Sequence, residues 1–148
     1  MKTSEIRDEL LAQHASLRGR LEAARLTVAR WRTGAAPQIR VRDELSAIAD
    51  ALRSHNLLEE RSLRDIVRRV DAWGPARKDI LEEEHIREHR ELHDALVRIA
   101  RATDAQRGAD AFDGLRAHLL AHMAREEKAF LNESVLRDDD VAIDATDG

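Results

Sequence analysis

The chain has 148 residues, 36% of them charged and 43% hydrophobic, with a formal net charge of −4 at pH 7 and no cysteine. That length suits one domain with a real core, and the slight acidity gives no electrostatic reason to expect nucleic acid or an anionic membrane as partner. Without thiols there is no disulfide, Fe–S cluster or thiolate metal site, so any metal must be held by His and carboxylate.

Gly and Pro number only 6 and 2, and the apolar residues are those of helices. Lys2, Glu5 and Arg7 put charge where a signal peptide would be apolar, and no apolar run reaches membrane-spanning length. A cytoplasmic location is expected.

Thr3 or Ser4 is placed to cap a first helix, with Glu5, Asp8 and Glu9 in its opening turns. Its seam is Ile6, Leu10, Leu17, Leu21 and Val28, and His14 stands where the pattern asks for a core residue. Thr33-Gly34-Ala-Ala-Pro37 breaks that helix. A second begins between Ile39 and Asp43 and runs to Trp73, where Gly74-Pro75 stops it. At 100° per residue, Leu45, Ile48, Leu52, His55, Glu59, Leu63, Ile66 and Val70 share an arc of about 80°, so His55 and Glu59 face the core. Glu60 turns toward solvent or the rim.

The third helix runs from about Ala76 to Ala102, with Leu81, Leu92, Leu96 and Ile99 on its inner face. His85 and His89 lie near the centre of that face, and His93 toward its edge. The fourth, from about Ala109 to Leu136, buries Phe112, Leu115, Leu119 and Phe130 together with His122 and Glu126. His118 and Glu127 fall on opposite flanks. Residues 138–148 form an acidic tail expected to fray, leaving 1–137 as the folded unit. Trp31 and Trp73, near helix ends, read as core plugs, and Leu57 with Leu58 as a weak contact patch.

Four such helices with short breaks imply an all-α, up-down-up-down four-helix bundle. A repeat agrees: Leu52-x-x-His55-x-x-x-Glu59-Glu60 matches Leu119-x-x-His122-x-x-x-Glu126-Glu127, and His14-x-x-Leu17-x-x-x-Leu21 matches His89-x-x-Leu92-x-x-x-Leu96. His and Glu at i, i+4 share one helical face and can reach one point in space.

A single such pair is commonly a solvated ion pair. Here five imidazoles and two carboxylates interrupt apolar seams on all four helices. Burying one polar group unpaired costs roughly 2–7 kcal/mol, against a net domain stability of about 5–15 kcal/mol, so the seven need strong compensation. A metal satisfies imidazole and carboxylate together. Seven ligands exceed one tetrahedral zinc, whereas two metals sharing the carboxylates would use all seven and keep a vacancy. The donors suit iron without excluding zinc, manganese or copper. The ferritin-like pattern wants Glu-x-x-His on two helices, and only Glu82-x-x-His85 fits it.

From His14 to Phe130 the chain resembles the hemerythrin-like family, the HHE cation-binding domain: a lone His14, then His55-x-x-x-Glu59, His85-x-x-x-His89 and His122-x-x-x-Glu126 in order. The resemblance implies two non-haem iron ions bridged by Glu59, Glu126 and an oxo or hydroxo group. His85, His89 and His122 would bind one iron; His14 and His55 would bind the other and leave its open position to a small ligand. In animal oxygen carriers of the family the last carboxylate stands at i+5, where this chain has Glu127; Glu126 follows the spacing of many bacterial members. His93 and His118 are additional, read as edge residues orienting a ligand, and His89 with His93 is a second way for helix three to present its pair.

The implied function is binding or sensing of dioxygen or a related diatomic such as NO. Two other readings stand beside it: an enzyme acting on peroxide or nitric oxide, and a structural bundle holding zinc or no metal.

Overall fold

A computed structural model describes residues 2–69, 75–129 and 131. The expectations for Val70, Trp73, Gly74, Phe130, Leu136 and the acidic tail lie outside the described residues, as do those for the side chains of Leu63, Ile66, Leu81 and Glu82. The described residues form four helices and no strand: α1 (Thr3–Arg32), α2 (Gln38–Arg69), α3 (Pro75–Ala100) and α4 (Ala105–Ala129). α1 packs on α2, α2 on α3, α3 on α4, and α4 returns to α1. The result is a four-helix bundle around a shared interior. No described helix is long and apolar enough to cross a membrane.

Local chemistry sets the helix ends. α1 starts one residue earlier than the capping pattern indicates: Lys2 occupies the cap position, its backbone N–H donating to the Glu5 carboxylate at 2.8 Å, while Thr3 is helical and buried. Its other end closes on Gly34, whose φ of +82° suits glycine. The Gly34 N–H donates to the Trp31 carbonyl at 3.0 Å and the Ala35 N–H to that of Arg30 at 2.7 Å, a double closure of the last turn. Pro75 opens α3, a position where its missing N–H costs nothing.

α4 begins four residues before the expected Ala109, because Asp104 caps it by accepting from the Arg107 N–H at 3.0 Å. Gly108, which falls between the third and fourth helices as the sequence spaces them, lies buried inside the helix. A Cβ there would stand 2.4 and 2.6 Å from ring atoms of Trp31. The missing side chain is what lets Trp31 plug the bundle, so the core role expected of Trp31 holds at 6% exposure.

The apolar seams meet as the periodicity requires. Leu17, Leu21 and Val28 of α1, Leu45, Ile48 and Leu52 of α2, Leu92, Leu96 and Ile99 of α3, and Phe112, Leu115 and Leu119 of α4 form one buried cluster. A smaller second cluster holds Leu10 and Leu131 with Ile6, Leu11 and Leu58 against it. Leu58 is partly buried against this cluster, while Leu57 stays exposed. Along α1, His14 falls between Leu10 of the small cluster and Leu17 of the large one.

Candidate metal centre

Seven polar side chains fill that gap. His14 on α1, His55 and Glu59 on α2, His89 on α3, and His122 and Glu126 on α4 are all buried, and His85 on α3 is partly so. Their ligand atoms form two groups, each with all atoms within 4.8 Å of one another: Glu59, His85, His89, His122 and Glu126 in one, and His14, His55, Glu59 and Glu126 in the other. Glu59 and Glu126 belong to both. All seven residues singled out in the sequence are thus brought together, and no helix is left out.

The imidazoles turn one nitrogen inward. His14 Nε2 lies 3.1 Å from Glu126 and 3.2 Å from His55 Nε2; His55 Nε2 is 3.0 Å from Glu59. His85 Nε2 is 2.5 Å from Glu59 and 2.9 Å from Glu126, His89 Nε2 is 3.2 Å from Glu59, and His122 Nε2 is 3.2 Å from Glu126. Several of these contacts miss the direction a hydrogen bond needs. Glu59 Oε2, Glu126 Oε2, His89 Nε2 and His122 Nε2 are buried with no hydrogen-bond partner. Leaving a buried polar atom unsatisfied costs about 1–3 kcal/mol, and these four converge on one interior. A cation among them would satisfy them together, so the donor set fits a metal ion.

The outer nitrogens are held from behind. His14 Nδ1 donates to Glu127 at 2.9 Å, His55 Nδ1 to the Gln13 amide oxygen at 2.7 Å, and His89 Nδ1 to Glu60 at 2.9 Å. His122 Nδ1 lies 3.0 Å from Glu88. Fixing Nδ1–H in this way turns Nε2 toward the interior, where it can bind a metal once any proton on it has left, the arrangement by which proteins orient metal-binding histidines. Arg18 grips both oxygens of Glu127 at 2.9 and 2.7 Å, and Glu88 is paired with Arg125.

In the absence of metal the site stores protons. Burial pushes His85 and His89 down, but the carboxylates of Glu126 and Glu59 outweigh it and hold them at about 9 and about 10. His14 is raised in the same way, burial being overcome by Glu126 and Glu127. Burial favours the neutral form of Glu126, yet its neighbours Glu59, His122, His14 and His85 keep it far below the ordinary carboxylate range. Glu59 is also lowered, its three histidine neighbours prevailing over burial and over Glu126.

The residues flanking the cluster take up distinct places around it. Glu127, a rival for the shared carboxylate, sits behind His14 and outside both groups. Helix three presents His85 with His89, and His93 lies outside both groups with Asp94 3.9 Å away. His118 is half-exposed and reaches only Glu88, at 3.4 Å. Glu60 is at the rim, as its angle implies, partly exposed and accepting from His89. The supports Gln13 and Glu88 were not found from sequence, although each stands on a helix beside or across from a histidine; nothing in their spacing separates them from surface residues.

Comparison of the chain with family models, with curated proteins and with solved structures finds no match in any of the three. What the structure itself offers toward a function is a buried His and Glu cluster able to hold metal.

Proposed function

We propose that the chain is a hemerythrin-like bundle of up-down-up-down order that houses two non-haem irons and binds or senses dioxygen, or a related diatomic such as NO. The observation that carries the reading is the pair of ligand groups sharing Glu59 and Glu126, with three histidines in one and two in the other. Carboxylates common to both groups would suit a pair of metals, with His14 and His55 as the smaller histidine set. A ferrous pair held there would supply reversible electron donation to a diatomic ligand.

The protein's own part is to position and to exclude water. Glu59 and Glu126 hold the two positions together, and the Nδ1 contacts of His14, His55, His89 and His122 fix four rings against rotation. Leu10 and Leu17 flank His14 a turn away on either side and Leu52 precedes His55 by a turn; none exceeds 2% exposure. This apolar surround keeps bulk water from the two-histidine pole and suits a small uncharged ligand.

Metal analysis of the protein purified from cells should find close to two irons per chain, and the anaerobic ferrous protein should change its visible spectrum on admitting O2 or NO. A single zinc, or a folded chain without metal, would sink the proposal in favour of a structural bundle. One contact favours a second reading, an enzyme acting on peroxide or nitric oxide: half-exposed His118 touches Glu88, which touches His122, a polar chain from surface to centre. Sustained peroxide consumption by iron-loaded protein would select it.

A further inference from the structure

Four of the imidazoles meet a polar group at Nδ1, and those groups differ. At the three-histidine pole, His89 donates to Glu60 and His122 faces Glu88, both carboxylates. At the two-histidine pole, His14 donates to Glu127, which Arg18 holds much as Arg125 holds Glu88, and His55 alone donates to an uncharged group, the amide of Gln13. The amide's orientation is set from outside. Gln13 Nε2 donates to Glu9 at 3.2 Å, which turns Oε1 toward His55.

A carboxylate on Nδ1–H makes the opposite nitrogen a stronger donor to a metal than a neutral amide does. The pole with fewer imidazoles therefore also has a weaker one, His55. We propose that Gln13 makes the His14/His55 pole the weak, exchangeable metal position, so that the centre fills in order, the three-histidine pole first. Gln13 touches neither metal nor substrate; it is a positioning residue acting through His55. The inference rests on the two-metal reading above, and it concerns affinity and order of filling whatever the metal.

The test is a titration of metal-free protein with Co(II) under argon, followed by its visible bands and against a competing chelator of known affinity. Two steps are expected, at least tenfold apart, with His55→Ala removing the weaker and keeping the stronger. Gln13→Glu, made with Glu9→Gln to avoid placing two carboxylates together, should tighten the weaker step by about tenfold and leave the stronger unchanged. Gln13→Leu, which leaves Nδ1–H without its acceptor, should loosen the weaker step by a similar factor; circular dichroism checks that each variant is helical. Two steps that neither Gln13 substitution moves would overturn the inference while sparing the two-metal reading, as would His55→Ala abolishing the stronger step. A single one-metal step would overturn both.

Discussion

The larger apolar cluster and the His/Glu layer occupy the same bundle under opposite rules. From Leu17 and Leu52 to Trp31 and Phe112, the cluster is satisfied by packing alone. The layer brings two carboxylates and five imidazoles into the same interior and leaves four of their atoms without a hydrogen-bond partner. Packing is complete once the helices meet; the layer keeps unpartnered polar atoms that a cation, proton or metal, could satisfy. The stability of the first region should be indifferent to metal and pH, and that of the second should depend on both.

The sharpest way to break that contrast is to damage one region at a time. Phe112→Ala, at a site with no exposure, should cost about 3–5 kcal/mol in urea melts, equally with and without metal. Metal at about a thousand times its dissociation constant should stabilise the unaltered chain by about 4 kcal/mol, and Glu126→Ala should abolish that gain because both groups lose a shared ligand. An equal gain in Glu126→Ala would mean that metal binds elsewhere.

A pH series sharpens the same contrast. His85 and His89 are raised from 6.5 to about 9 and about 10, so their charged forms stabilise the metal-free fold. That contribution is complete below about pH 6.5 and is lost as pH rises through 9 to 10. Thermal melts of metal-free protein should fall across this window. Metal must displace the same protons, so its affinity should rise with pH there, and a metal-free melting temperature that climbs from pH 7 to 10 would contradict the account.

Smaller effects belong to the apolar side. Gly108→Ala forces a Cβ against the Trp31 ring and should cost about 1–3 kcal/mol by overpacking, without changing metal affinity. Gly34→Ala, at φ +82°, should cost about 1 kcal/mol, again with metal binding intact. Both are read from denaturant midpoints beside a metal titration of the same sample.

Periodicity alone determined most of this architecture. Side chains on a helix recur every 3.6 residues, so the Leu seams and the embedded His14, His55, Glu59, His89, His122 and Glu126 could be assigned to inner faces without coordinates. The i, i+4 spacing made each His and Glu of a pair neighbours on one helix. It could say nothing of contacts between helices, and therefore not which residues would be chosen to back each histidine from a neighbouring helix.

Tertiary packing decided those choices. α4 is set so that Glu127 meets Arg18 and His14 from outside while Glu126 enters the layer. The same packing recruited Gln13, Glu60 and Glu88, which look like solvated polar residues in the chain because their partners lie on other helices. Gly108 was misread for a related reason: glycine usually interrupts a helix, and only the approach of Trp31 from α1 explains one inside α4. A sequence states which residues share a face of their own helix, whereas an outer support for a histidine is a contact between helices, fixed only when they dock.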